Sequence, residues 1–60
     1  MRVIDILELV NDYTNVKVIT ESKVYVYDGR NAIPNRLNRC FVEEIWVDND
    51  WLNIYVDELV

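Results

Sequence analysis

Sixty residues, 52% of them hydrophobic, with a formal charge of −5, make a single domain (1–60) near the lower limit for a self-sufficient core. Cys40 is the one cysteine and there is no histidine, which excludes an intrachain disulfide and removes the commonest structural metal ligand. Of the staples that small domains use, association with another subunit is the one expected here.

Residues 2–13 open the chain with helical spacing. Val3, Ile6, Leu7 and Val10 form one apolar stripe, widened by Ile4 and Tyr13, opposite Arg2, Asp5, Glu8 and Asp12. Asp5 and Glu8 also have capping-box spacing, which would start the helix as late as Ile6. Residues 15–20 (NVKVIT) alternate apolar and polar and are β-branched, predicting a strand. Glu21 and Ser22 make a turn without glycine, and residues 23–28 (KVYVYD) form the most regular strand.

Gly29 to Arg39 is the long connection, and Pro34 is well placed to start a turn of helix over 35–39 with Leu37 beneath it. Residues 41–47 and 51–56 read as a second hairpin around Asp48, Asn49 and Asp50. Glu43 shares parity with Phe41, Ile45 and Val47, which predicts either a sheet margin or a β-bulge near Glu43 and Glu44. The expected fold is α+β, in the order α-β-β-short helix-β-β. One N-terminal helix would pack on a four-stranded, largely antiparallel sheet of undetermined strand order.

A side-chain period of two separates Val24 and Val26 from Tyr25 and Tyr27, and Leu52, Ile54 and Val56 from Trp51, Asn53 and Tyr55. Placing Val16, Val18, Val24 and Val26 against the helix leaves Tyr25, Tyr27, Trp46, Trp51 and Tyr55 on the outer face. Five half-exposed rings would form a patch on the order of 400–600 Å², at or beyond what monomers usually expose. The reading is a protein-contact surface; ordinary cross-strand packing on Lys17 and Ile19 is the alternative.

The charges are unevenly spread. Residues 29–39 carry Arg30, Arg36 and Arg39 without an acid, whereas residues 40–60 hold six acids and no base. Glu43, Glu44, Asp48 and Asp50 would form an acidic rim to the contact surface, or simply keep the domain in solution. The arginines would clamp an anion, pair with a neighbouring subunit, or be solvated.

Six basic residues against eleven acidic ones argue against direct nucleic-acid binding, despite rings on a sheet. Asp48-x-Asp50 lacks the later ligands of a calcium loop. Cys40 has no histidine to activate it, and a single glycine makes no phosphate loop, so no enzyme, metal or cofactor is expected. No stretch approaches the roughly 20 apolar residues of a membrane helix. Asp5 and Glu8 interrupt the N-terminal apolar run, which therefore does not read as a signal peptide, and a lone thiol suits a reducing cytoplasm.

R-V-I-D-I-L-E-L-V at 2–10, N-V-K-V-I at 15–19, I-P-N-R-L-N-R at 33–39, and Ile45 and Val47 followed by W-L-N-I-Y-V at 51–56 give the chain a recognisable outline. It resembles small proteins encoded by phages and mobile elements of Firmicutes. The resemblance implies a non-enzymatic module that binds a bacterial host or defence protein and inhibits it by steric occlusion. The expected partners are a second copy and a host protein. An acidic nucleic-acid mimic and a purely structural self-assembling subunit are the alternatives.

Overall fold

The structure, a computed structural model, describes residues 1–11, 13–29 and 32–57. Asp12, Arg30, Asn31, Glu58, Leu59 and Val60 lie outside the described residues, and with them the expectations for one loop arginine and for the apolar tail. The described residues fold as α1 (Val3–Leu7), β1 (Val16–Ile19), β2 (Val24–Tyr27), α2 (Asn35–Asn38), β3 (Phe41–Asp48) and β4 (Trp51–Asp57). The fold is α+β: two short helices and a four-stranded mixed sheet in the order β2-β1-β4-β3. β1 and β4 run parallel at the centre, and each hairpin adds its other strand as an antiparallel edge.

The first helix is shorter than its stripe. Asp5, not Glu8, closes the box: its carboxylate accepts the Arg2 amide at 2.9 Å and fixes the start at Val3. Val3, Ile6 and Leu7 are buried, whereas Leu9 and Tyr13, beyond the helix, are exposed. Pro34 begins α2 as expected, and Leu37 is fully buried beneath it.

The glycine-free turn after β1 is built by Thr20. Its hydroxyl accepts the Lys23 amide at 3.0 Å and the Ser22 amide at 3.4 Å, while its own amide donates to the Lys23 carbonyl at 2.8 Å. The second hairpin closes through Asn49 and Asp50, both left-handed at φ 51° and 66°, a conformation these two residue types tolerate. Between Val42 and Glu44 the register slips by one residue, which is the expected bulge at Glu43.

The core lies between the helices and one sheet face: Val3, Ile6 and Leu7 of α1, Ile33 and Leu37 around α2, Val16 and Val18 of β1, and Ile54 and Val56 of β4. Helices of five and four residues cannot cover the whole sheet. Ile45 and Val47 lie on the helix side of β3, opposite Ile54 and Leu52, yet are 49% and 73% exposed, beyond the cover of α1 and α2.

Candidate contact surface

Register assigns each side chain to a face, since directly paired residues point the same way. Val16 pairs with Tyr27 and Val18 with Tyr25, so the two tyrosines share the helix side with the core valines. This corrects the expected face of β2. Tyr25 and Tyr27 are half-buried against the core, and Val24 and Val26 are the residues turned outward, 58% and 55% exposed.

The physical reason lies beyond the sheet. A tyrosine is long enough to reach past the edge strand and close the flank of the thin helical layer, where a valine would leave a gap. Arg36 of α2 packs over Tyr25, its guanidinium 5.8 Å from the ring centre and 3.4 Å from the hydroxyl. Lys23 lies 5.7 Å from the same ring. Burial, and next the neighbouring Tyr25, pushes the Tyr27 phenol above its ordinary range, and Arg36 pulls weakly the other way.

The other three rings stand where the alternation put them. Trp46 pairs with Asn53, Glu44 with Tyr55 and Asp48 with Trp51, so Trp46, Trp51 and Tyr55 share the outer face with Lys17, Ile19, Val24 and Val26. Lys17 extends over Trp51, 5.1 Å from its ring centre. This is the cross-strand packing that competed with a free aromatic patch, and it leaves Trp51 and Tyr55 half-buried. Asn53 is buried beneath this layer and spends its amide on the Trp51 and Trp46 carbonyls at 3.1 and 3.5 Å.

The outer face therefore holds exposed Trp46, Val24 and Val26, with Phe41 at one end under the Arg2 guanidinium. Lys17 stands on the central strand β1 and Glu44 on the edge strand β3, with Asp48 and Asp57 at strand ends. Of the acidic rim, Glu43, Glu44, Asp48 and Asp50 are all exposed. Glu43 joins Glu21, Thr20, Tyr55 and Asp57 around an open cleft at one end of the sheet. Of the loop arginines within the described residues, Arg36 is committed to Tyr25 and Arg39 is exposed beside Cys40, whose thiol lies 3.5 Å from the Arg36 carbonyl.

Sequence reasoning missed Val24, Val26 and Phe41. In a strand that reads Val-Tyr-Val-Tyr both faces are apolar, so alternation separates them without saying which one looks outward. Among the described residues no cluster of His, Cys, Asp and Glu has the arrangement of a metal site, and no helix is long and apolar enough to cross a membrane.

No family model, curated protein or solved structure matches the chain.

Proposed function

We propose that this chain is a non-enzymatic protein-binding module, working as a homodimer that covers the outer sheet face with a second copy of itself. The observation that carries this reading is a sheet with its helices on one side and exposed Val24, Val26 and Trp46 on the other. Two-layer domains hide one sheet face, and the other normally turns polar.

Charge favours a second copy. The chain carries −5, but Lys17 stands on a central strand of this face while its acids Glu44, Asp48 and Asp57 stand on the edge strand or at strand ends, so the Lys17 of each copy can meet an acid of the other. Area sets the strength. Principal extents of 29 × 20 × 17 Å limit the face to roughly 500 Å² per copy, so the dimer buries about 1,000 Å², below the roughly 1,200 Å² of stable interfaces. A concentration-dependent dimer is expected.

The target proposed with it is a bacterial host or defence protein, met in the cytoplasm and blocked by steric occlusion, as expected if the chain is of phage or mobile-element type. In the dimer the acidic hairpin Glu43, Glu44, Asp48 and Asp50 stays at the margin, where it can meet that target. Sedimentation velocity over a wide concentration range, on the wild type and on Val26→Asp, tests the self-association. A monomer–dimer equilibrium that the substitution abolishes supports the reading. A wild type that stays monomeric at every concentration refutes it.

A further inference from the structure

Strand β3 is an edge of the sheet, and only part of that edge is paired. The N-terminal segment runs antiparallel to its first residues: the Val42 amide donates to the Met1 carbonyl at 2.8 Å, and the Val3 amide to the Cys40 carbonyl at 3.0 Å. Beyond Val42 the bulge intervenes, and among the described residues the stretch from Glu44 to Asp48 is bordered by β4 alone.

Backbone direction follows from one bond. The Leu52 amide donates to Asn15, on the β1 side, so Trp51, Asn53 and Tyr55 turn their peptide groups toward β3. Their partners Asp48, Trp46 and Glu44 face β4 in return, which leaves the amide and carbonyl of Ile45 and of Val47 aimed away from the sheet. The same two side chains are the exposed ones on the helix side.

From this juxtaposition we infer that the Glu44–Asp48 edge of β3 is a strand-addition site for an extended basic segment of the target protein. The inference deepens the proposed function and rests on its reading of the chain as a protein-binding module. The incoming strand pairs with the Ile45 and Val47 peptide groups. Its apolar residues lie beside those two side chains, and its Lys or Arg residues, on the opposite face, lie opposite Glu44 and Asp48. The recognised pattern is basic–apolar–any–apolar–basic.

Charge argues against a second copy at this edge. The free stretch is centred on Trp46, and a two-fold antiparallel pairing about that residue places Glu44 opposite Asp48 of the other copy twice, a destabilising arrangement. Shifting the centre to Ile45 brings the other copy's chain against Val42, which Met1 already occupies. A basic strand meets neither obstacle. Glu43 and Asp50 flank the same stretch and add to its negative field.

The test uses two short synthetic peptides, Lys-Val-Thr-Val-Lys and Glu-Val-Thr-Val-Glu, titrated into the full chain. Amide hydrogen exchange is followed residue by residue, and sedimentation is run on the same samples. The basic peptide should slow exchange at Ile45 and Val47 and leave the other edge, Val24–Tyr27, unchanged; the acidic peptide should do neither. Val47→Pro removes one outward donor but no β3–β4 bond, and should weaken binding about fivefold to tenfold. Glu44→Lys with Asp48→Lys should reverse the preference between peptides.

Equal protection by both peptides, protection at Val24–Tyr27 instead, no protection at all, or an unaffected Val47→Pro variant would each overturn the inference. Sedimentation reports self-association independently. A monomer that still binds the basic peptide refutes only the dimer, and a dimer that ignores the peptide refutes only the edge site.

Discussion

Replacing Val24 and Val26 together by threonine separates a face used for contact from a face used for folding. Each change swaps a methyl for a hydroxyl of nearly the same size, and threonine suits a strand as well as valine does. At 58% and 55% exposure, less than half of each side chain is covered in the monomer. A fully buried methyl group is worth about 0.8 kcal/mol, so the folded monomer should lose at most about 0.4 kcal/mol per site. Association covers the remaining half and also desolvates a hydroxyl with no partner. Together these cost about 1 kcal/mol per site, and because both copies carry both changes the four sites should raise the dissociation constant about a thousandfold.

Urea titration followed by circular dichroism gives the first quantity at a dilution where the protein is monomeric, and sedimentation gives the second. A loss of more than about 2 kcal/mol in the monomer would mean that the valines, not Tyr25 and Tyr27, face the core. Unchanged self-association with unchanged stability would remove the outer face as the contact surface.

Three further outcomes follow from the packing. Leu37 is fully buried under a four-residue helix, so Leu37→Ala should cost about 2–5 kcal/mol. That is about half of the roughly 3–9 kcal/mol expected for 60 residues, and a loss below 1 kcal/mol in urea would show that α2 is not part of the core. Thr20→Val keeps the buried shape but removes the acceptor for the Ser22 and Lys23 amides, at an expected cost of about 1 kcal/mol in the same titration; no change would deny the hydroxyl its role in the turn. Because the Tyr27 phenol is raised in the fold, the unfolded chain loses that proton first as pH climbs past about 10. The wild type should therefore lose stability relative to Tyr27→Phe above that pH and match it below, and parallel curves from pH 8 to 11 would refute the burial of Tyr27.

Much of the architecture is legible where local chemistry is unambiguous. Pro34 followed by a buried Leu37 announces α2, and Asn49-Asp50 supplies left-handed residues between two apolar runs. The parity conflict at Glu43 locates the bulge. The end of α1 was not legible, because Leu9, Val10 and Tyr13 continue a plausible apolar pattern that tertiary packing does not use. The mixed sheet was not legible either: the parallel pairing of β1 with β4 joins residues more than thirty positions apart, and no local signal records it. For the candidate surface, Trp46, Trp51 and Tyr55 were readable from β4 and its hairpin partner. The face of β2 depended on which side chain could close the flank beside Arg36, a matter of length and not of hydropathy.

The bulge connects the edge to both faces of the sheet. With Glu43 removed from the count, the pairs Phe41–Asp57, Val42–Val56, Glu44–Tyr55 and Ile45–Ile54 form one continuous alternation. Without the slip, Ile45 would fall opposite Asn53 on the outer face and Glu44 opposite Ile54 on the helix side, putting a carboxylate beside the apolar core and an apolar side chain at the outer margin. The extra residue therefore keeps Trp46 on the outer face and the carboxylate of Glu44 at its margin. It also divides the β3 edge into a part that Met1 occupies and a part that stays open. A bulge and flanking acids are what a protein uses to stop an edge from pairing with its own copies. The same acids leave that edge complementary to a basic strand, so protection from self-association and selection of a partner come from one arrangement of charge.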